Sequence, residues 1–368
     1  MNIHKRSDAF VKLGEKISKF LKDEIKISGL DITIKKSFQQ NGWFTGENVR
    51  YALSALSGMI TEENILKWLS NYPSPNSPNK VTDSVIMQTE LQTPNYVGVI
   101  MPSNIPLAGF HDFFCVLMSG NFFVGKCSSQ DKILLRAIAE ILIKIEPEFK
   151  QMIFFTENKF EKIDAVIATG SNNSSRYFEY YFGKYLHIIR KNRNSVAILS
   201  GNETEEEIKL LSNDIFLYFG LGCRNVSKIF VPENYDFEKL FSGIIHWEKI
   251  IHHNKYANNY TYYKTIYLMN KIKIWDNGFL LLKEDIGLSS PAAVLYYEFY
   301  KNEKQLNGRL KMDKENIQCV VASPLTPLLM DRGTFQVDFG EAQHPQLSDY
   351  ADGIDTMKFL SGLKQLSV

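Results

Sequence analysis

The residue that could do chemistry most directly is a cysteine between a glycine and an arginine, in the stretch GLGCRNVSKIFV, residues 220–231. Gly220 and Gly222 allow backbone geometries that other residues resist, so a substrate can approach Cys223 closely. Arg224 follows at once, and a neighbouring cation favours the thiolate, which is the reactive form of cysteine. These neighbours make Cys223 a candidate nucleophile.

The positions of the other three cysteines argue against two alternatives. Cys115, Cys127 and Cys319 are far from one another and from Cys223, and no CxxC pair occurs. This spacing argues against a zinc site and against a disulfide framework, so no metal is expected. A lone cysteine is nevertheless more often a buried apolar residue than a nucleophile. The surrounding sequence must decide between the two.

The composition predicts a soluble protein with a large apolar core. Hydrophobic residues make up 44% and aromatic residues 13% of the 368 residues, which is enough for two domains and an internal ligand cleft. The 42 Lys and Arg against 41 Asp and Glu give a net charge of +1, which argues against a nucleic-acid-binding surface. The sequence shows no signal peptide and no run of about 18 apolar residues. We therefore expect a cytoplasmic protein without a membrane span.

The order of helical and strand-like patterns predicts an α/β fold. Residues 1 to about 70 repeat apolar residues at helical intervals, with Thr61 as a helix N-cap, and the Pro-, Ser- and Asn-rich segment 72–80 predicts a linker. Short β-rich runs then alternate with helical runs, which is typical of parallel sheets covered by helices on both faces. The predicted strands lie in NYVGVIMP, NFFVGKC, QMIFFTE, DAVIATGS, NSVAILSG, VSKIFVPE, GFLLLKE, AAVLYYEFY and IQCVVASP.

Several motifs occur in the order that is found in a known family. The stretches GVIMPSNIPL, VGKCSS and ATGSNNSSRYF precede the cysteine and resemble the cofactor half of the aldehyde dehydrogenase superfamily. Over nearly the whole chain, NGWFTGENVRYAL, MPSNIPLAGFHDFF, GLGCRNVSKIFV and YADGIDTMKFL together resemble the LuxC-type fatty acyl-CoA reductases. The resemblance implies an aldehyde dehydrogenase-like α/β fold, with two Rossmann-like parallel-sheet domains and a helical N-terminal region.

The resemblance also implies the catalytic residues. In that superfamily a cysteine at the position of Cys223 attacks the carbonyl carbon, and the resulting thioester is still electrophilic enough to accept a hydride. By the same resemblance, the side-chain amide of Asn104 and the backbone N–H of Cys223 stabilise the oxyanion. From the residues alone, a turn residue before Pro106 is the simpler interpretation of Asn104.

The cofactor-binding residues are implied in the same way. Lys126 ends a strand-like run, where its ammonium could reach a ribose hydroxyl or a phosphate. Gly170 and Ser171 form a turn that leads into a helix, whose positive end could hold a pyrophosphate. A solvated lysine and an ordinary helix cap are the alternative interpretations. The implied set is Pro102, Lys126, Ser128, Ser129, Gly170, Ser171 and Glu284, the last as a partner of the nicotinamide ribose.

Two departures from the superfamily pattern bear on the reaction. Ser129 stands where NAD-using members commonly have a glutamate for the adenine ribose, which favours NADPH and leaves NADH open. Ile198 stands where oxidising members have the glutamate that activates the hydrolytic water, which favours a reductase. The nearby Glu203 is predicted to be a first-turn acid of the next helix. The candidate acids for the leaving group are His252, His253 and His344.

The sequence thus predicts an NADPH-dependent reductase of fatty-acyl thioesters such as acyl-CoA, and it leaves open an acyl-delivering protein and homo-oligomerisation. The predicted domains are a helical region and linker (1–80), an NAD(P)-binding domain (81–200), a catalytic domain (201–330), and a C-terminal segment (331–368) that returns to the cofactor domain. Three rival functions remain. They are an NAD(P)-dependent aldehyde oxidiser, a cofactor-free cysteine acyl transferase or thioesterase, and a non-catalytic binding subunit in which Cys223 is merely packed.

Overall fold

The computed structural model describes residues 1–72, 94–323 and 335–363. The chain forms two compact units. The first comprises residues 1–191 and the chain from Gln346 onward, and the second comprises Asn192–Pro345. Apart from Tyr72, the predicted linker lies outside the described residues. None of the helices in the described ranges has the length and apolar character needed to cross a membrane.

The first unit is built on a five-stranded parallel sheet with the strand order β3-β2-β1-β4-β5. The central strand, β1, has a buried core of valine and glycine, as expected for a parallel strand with both faces covered. The strands are β1 Tyr96–Ile100, β2 Phe122–Lys126, β3 Ile153–Phe155, β4 Ala165–Thr169 and β5 Leu186–Arg190.

Within the described residues of this unit, seven α-helices precede the second unit in the chain. They are α1 Ile3–Leu21, α2 Leu30–Gln40, α3 Gly46–Met59, α4 Glu62–Leu69, α5 Phe110–Met118, α6 Leu134–Ile145 and α7 Asn172–Phe182. The N-terminal helices belong to the same unit as the sheet because α1 buries Phe10 among four phenylalanine rings. The centroid of the Phe10 ring lies 4.8–6.4 Å from those of Phe110, Phe113, Phe114 and Phe149. The predicted N-cap Thr61 is confirmed, since its side chain accepts the N–H of Asn64.

The second unit contains a seven-stranded sheet with the order β12-β11-β6-β7-β10-β9-β8, parallel except for the antiparallel pair β8 and β9. Its strands are β6 Asn194–Ile198, β7 Val226–Pro232, β8 Ile274–Asp276, β9 Leu281–Glu284, β10 Val294–Tyr300, β11 Ile317–Val321 and β12 Phe335–Val337. Its helices are α8 Glu205–Phe216, α9 Phe237–Ile244, α10 Asn254–Met269 and α11 Glu303–Met312.

The last helix among the described residues, α12 Thr356–Gly362, belongs to the first unit. A buried ion pair contributes to this placement. Arg190 of β5 donates to the carboxylate of Asp112 in α5 (2.6 Å) and to the hydroxyl of Thr356 (2.8 Å). Nearby, the indole of Trp68 donates to the hydroxyl of Tyr350 (2.7 Å). These polar contacts fix the C-terminal segment against the sheet and helices of the first unit.

The prediction of two parallel-sheet α/β units is confirmed, with three differences in detail. The boundary lies between residues 191 and 192 rather than at 200, because β6 pairs with β7 and β11 of the second sheet. The described part of the C-terminal segment divides at Gln346 between the two units, so residues 335–345 remain in the second. Three strands were not predicted. They are β5, β8 and β12, each a strand at the edge of its sheet.

Candidate active site

The carboxyl ends of the strands in the first unit gather the predicted cofactor residues. Ile100, at the end of β1, pairs with Lys126 of β2 on one side and with Ala168 of β4 on the other. The strand order reverses between β1 and β4, and such a switch point leaves a crevice in which parallel sheets bind ligands. Pro102 lies two residues beyond Ile100 of β1, and Gly170 lies two residues beyond Ala168 of β4. The loops that carry them therefore leave the same edge of the sheet.

Hydrogen bonds join two of the loops at this edge. The hydroxyl of Ser103, after β1, donates to the hydroxyl of Ser128, after β2, at 2.8 Å. The N–H of Met101 donates to the carbonyl of Lys126 at 3.2 Å. Ser128 was predicted to bind the cofactor, and in the structure its hydroxyl holds the neighbouring loop. Ser129, the next residue, is exposed, as is Asn104 after β1.

The third loop at this edge leads from β4 into α7. Ser171 is the N-cap of α7, and its hydroxyl oxygen accepts the N–H of Ser174 at 3.2 Å. A Cβ on Gly170 would lie 2.8 Å from the Phe178 ring and 2.9 Å from the Cβ of Ser174, so this turn requires a glycine. The N–H groups of the first turn and the helix dipole suit a phosphate. With the Lys126 ammonium, the donor set fits a dinucleotide pyrophosphate.

In the second unit, Cys223 lies on the loop between α8 and β7, and it is half-buried. The backbone before it is strained. Tyr218, Phe219 and Gly220 have φ values of 53°, 60° and 74°, a left-handed conformation that costs a bulky residue roughly 1–2 kcal/mol. Such strain persists only where the surrounding structure enforces it, and it is concentrated at functional sites.

The cation next to the cysteine is held in place by the segment 340–342 of the same unit. Nε of Arg224 donates to the carbonyl of Ala342 at 2.5 Å. The buried carboxylate of Asp214 accepts the N–H groups of Gly340 (2.7 Å) and Ala342 (3.0 Å). Burial raises the pKa of Asp214 to about 7, although these two hydrogen bonds oppose the shift. Arg224, predicted to favour the Cys223 thiolate, is thus restrained by a buried polar cluster.

Two of the other three cysteines are more deeply buried than Cys223. Cys115 and Cys319 are fully buried, and burial raises the pKa of Cys115. Cys127 is half-buried, and burial again raises its pKa. The sulfur of Cys319 lies 3.0 Å from the hydroxyl of Ser195 within the core. Across residues 1–72, 94–323 and 335–363, no group of three or more His, Cys, Asp and Glu side chains could hold a metal ion.

The position that the resemblance aligns with the deacylating glutamate carries an apolar core residue. Ile198 is 3% exposed and belongs to an apolar cluster with Phe230 and Leu310. The carboxylate of Glu203 accepts the hydroxyl of Ser200 (2.8 Å) and the N–H of Gly201 (3.1 Å). The prediction that Glu203 is a first-turn acid is wrong. It precedes the N-cap Thr204, and the first-turn acids of α8 are Glu205, Glu206 and Glu207.

The remaining candidates occupy different positions in the second unit. Glu284 is exposed at the end of β9, His252 is exposed at the end of the 3-10 helix Ile245–His252, and His344 is exposed on a loop. The ring of His253 stacks on Phe219, with centroids 4.2 Å apart, and its Nδ1 accepts the N–H of Tyr256 at 3.4 Å. His253 thus contacts the strained segment before the cysteine.

The predicted site residues are divided between the two units. The first unit carries Pro102, Asn104, Lys126, Ser128, Ser129, Gly170 and Ser171, and the second carries Cys223 and Glu284. Sequence reasoning missed the residues that hold the cysteine loop, above all Asn225. Its position two residues after a glycine–cysteine pair is a turn signal that could have identified it.

The protein has the aldehyde dehydrogenase fold, as the resemblance implied. Aldehyde dehydrogenase 21 from Physcomitrella patens, solved with succinate, is 13% identical, with 99% of this chain and 85% of that chain covered and a TM-score of 0.66. For betaine aldehyde dehydrogenase from Staphylococcus aureus the identity is 14%, the coverage 96% and 79%, and the TM-score 0.64. The NAD+-bound indole-3-acetaldehyde dehydrogenase of P. syringae is 11% identical, with 89% of this chain and 73% of that chain covered and a TM-score of 0.62. At these identities the likeness defines the fold.

No protein-family model matches the chain, and no curated protein is significantly similar to it.

Proposed function

We propose that the protein is an NADPH-dependent reductase of fatty-acyl thioesters such as acyl-CoA, which forms an aldehyde through an acyl-Cys223 intermediate. The observation that carries the proposal is the half-buried cysteine on a strained, anchored loop of an aldehyde dehydrogenase fold. The order of motifs in the sequence and the resemblance to LuxC-type reductases supply the substrate class. The apolar surroundings of Ile198 support reduction over oxidation.

Cys223 would act in two steps. Its thiolate attacks the carbonyl carbon of the acyl-CoA, the bond from that carbon to the CoA sulfur breaks, and CoA leaves as a thiol after taking up a proton. The acyl group is then held as a thioester on the cysteine. When the thioester is reduced, the bond from carbon to the cysteine sulfur breaks and the aldehyde leaves. Asn104 and the N–H of Cys223 would stabilise the oxyanion of each tetrahedral intermediate.

The cofactor residues of the first unit would bind and orient the nucleotide. NADPH, when bound, supplies the hydride. Lys126 would pair with a ribose hydroxyl or a phosphate, the α7 N-terminus at Gly170 and Ser171 would hold the pyrophosphate, and Pro102 would line the crevice beside β1. In the second unit, Glu284 would hold the nicotinamide ribose. Ser128, engaged with Ser103, would set the shape of the loop in which Ser129 is exposed.

Substituting glutamate for Ser129 is expected to reverse the nucleotide preference. A carboxylate at this exposed position would repel a 2′-phosphate and accept from ribose hydroxyls. The ratio of the NADPH to the NADH dissociation constant should rise by about 10–100-fold, which is roughly 1.4–2.8 kcal/mol. Fluorescence titration with both nucleotides measures the ratio. Gln130→Glu places the same charge one residue further along and is the control. An unchanged ratio in Ser129→Glu would show that Ser129 does not select the nucleotide.

Mass spectrometry tests the reaction itself. Incubating the protein with palmitoyl-CoA should add one palmitoyl group to the peptide that contains Cys223, and NADPH should remove that group with release of the aldehyde. Hydrolysis of the adduct to free acid without any nucleotide would instead identify a thioesterase. Oxidation of the aldehyde to the acid with NADP+ as the preferred reaction would identify an oxidiser. Either of these outcomes would replace the proposed function.

A further inference from the structure

We propose that Asn225 is a positioning residue for the nucleophile, a role that rests on the proposed function of Cys223. Asn225 is 1% exposed and engages the cysteine loop with both its side chain and its backbone. Its Oδ1 accepts the N–H of Gly222 at 2.8 Å, and its own N–H donates to the carbonyl of Gly222 at 3.0 Å. The backbone N–H and the carbonyl of Gly222 are therefore both hydrogen-bonded to Asn225.

The amide nitrogen of the same side chain reaches the other end of the loop. Nδ2 donates to the carbonyl of Asp214 and to the carbonyl of Leu217, each at 2.9 Å. These carbonyls lie in the last turn of α8 and just after it, where a helix leaves backbone acceptors without helical partners. One side chain thus joins the end of α8 to Gly222 and closes the loop that contains the strained residues.

Asn225 meets three requirements that no similar residue meets together. The contacts need one acceptor and two N–H donors on a short side chain. Aspartate lacks both N–H donors, serine has a single O–H donor, and the glutamine side chain is longer by one methylene. The bonds also compensate for the left-handed backbone at Tyr218 and Phe219, which would otherwise relax.

Cys223 lies inside this closed loop, and its position is set from both sides. On one side, Gly222 is held by Asn225. On the other, the carbonyl of Cys223 accepts the hydroxyl of the buried Ser195 at 3.0 Å. The N–H of Cys223, proposed as an oxyanion donor, belongs to the peptide that joins it to Gly222. Loosening Asn225 would therefore displace the sulfur and the oxyanion donor together. A displacement of about 1 Å from the reactive geometry lowers a rate by about 10²-fold.

The experiment measures single-turnover acylation of the full chain by palmitoyl-CoA, with rapid quenching and mass spectrometry. In Asn225→Ala the rate at saturating palmitoyl-CoA should fall by about 10²-fold. The palmitoyl-CoA concentration that gives half the maximal rate should stay within about twofold, as should the dissociation constant of NADPH, because the lost interaction serves the transition state. Asn225→Asp keeps the acceptor for Gly222 and loses both donors. We expect the acylation rate of Asn225→Asp to fall by at least about tenfold. This variant tests the proposal if Asn225→Ala does not fold.

A second asparagine of the same unit provides the matched control. Oδ1 of Asn277 accepts the N–H groups of Phe279 (3.2 Å) and Leu280 (2.8 Å) in a turn before β9. Asn277→Ala should lower the thermal unfolding midpoint and leave the acylation rate unchanged. Folded Asn225 variants that acylate within threefold of the wild-type rate would overturn the positioning role and leave the proposed function intact. A wild-type protein that is not acylated would overturn both.

Discussion

Replacing Cys223 by alanine is expected to abolish the acyl adduct and to lower the rate of aldehyde formation by at least about 10³-fold. The variant lacks the only atom on which the proposed intermediate forms, and what remains is the modest catalysis of binding and oxyanion stabilisation. The cofactor residues at the edge of the first sheet belong to the other unit. NADPH should therefore bind to the variant with its affinity unchanged. Intact-mass spectrometry and fluorescence titration measure the two properties.

The matched control is Cys127→Ala, because Cys127 is the other half-buried cysteine among the described residues. This variant should acquire the acyl group at the wild-type rate, since burial raises the pKa of the Cys127 thiol and disfavours its thiolate. The assignment would be refuted by a Cys223→Ala protein that is still acylated at the normal rate. It would also be refuted if the adduct were on another residue.

The second large effect concerns the buried ion pair of the first unit. Replacing Arg190 by methionine is expected to lower the free energy of unfolding of that unit by about 3–5 kcal/mol, because the carboxylate of Asp112 would be left buried without its cation. The side chains of Arg190 and Asp112 are 4% and 8% exposed. Burial lowers the pKa of Arg190, but the negative charge and hydrogen bond of Asp112 raise it by more, so the net shift is upward. The variant would also lose the hydrogen bond to Thr356.

A double variant separates the charge from the packing. Replacing Arg190 with methionine and Asp112 with leucine removes both charges and keeps most of the volume, so most of the lost stability should return. Urea unfolding followed by tryptophan fluorescence measures the change. If Trp247 and Trp275 are first replaced by phenylalanine, the signal comes from Trp43 and Trp68 of the first unit.

An exposed ion pair in the same unit provides the control for this measurement. Lys191 and Glu179 lie 3.5 Å apart, with 61% and 53% of their side chains exposed. Lys191→Met should cost less than about 1 kcal/mol, because water and salt screen an exposed pair. A loss in Arg190→Met no larger than that in Lys191→Met would contradict the assigned role of the buried pair.

The buried pair also supports the candidate cofactor site. In the register of the sheet, Arg190 lies opposite Thr169, and its carbonyl accepts the N–H of Gly170 at 3.4 Å. Gly170 begins the turn into the helix that is proposed to hold the pyrophosphate. The ion pair therefore contributes to the shape of that turn as well as to the stability of the unit, and NADPH affinity should fall with stability in the single Arg190 variant.

The sequence predicted the elements whose signals are local. Long apolar runs such as those of β1, β4 and β7 identify buried parallel strands, because both faces of such strands are covered. The three unpredicted strands are edge strands, and two of them have only three residues. The third, β5, begins with the exposed Leu186 and His187, so its pattern lacks a continuous apolar run. The cofactor residues of the first unit were implied by the resemblance to the aldehyde dehydrogenase superfamily, and they lie where the loops after parallel strands meet at one edge.

Other features have no local signal, and the tertiary structure alone decides them. The left-handed backbone at Tyr218 and Phe219 contradicts the preference of aromatic residues, and it persists because Asn225 and the surrounding core hold it. The pairing of Asp112 with Arg190 joins residues 78 positions apart, and nothing near either residue in the chain indicates a partner. By itself the sequence determined which residues could react. The long-range packing decided which of them are held in one conformation, because the free energy that offsets local strain comes from contacts between distant segments.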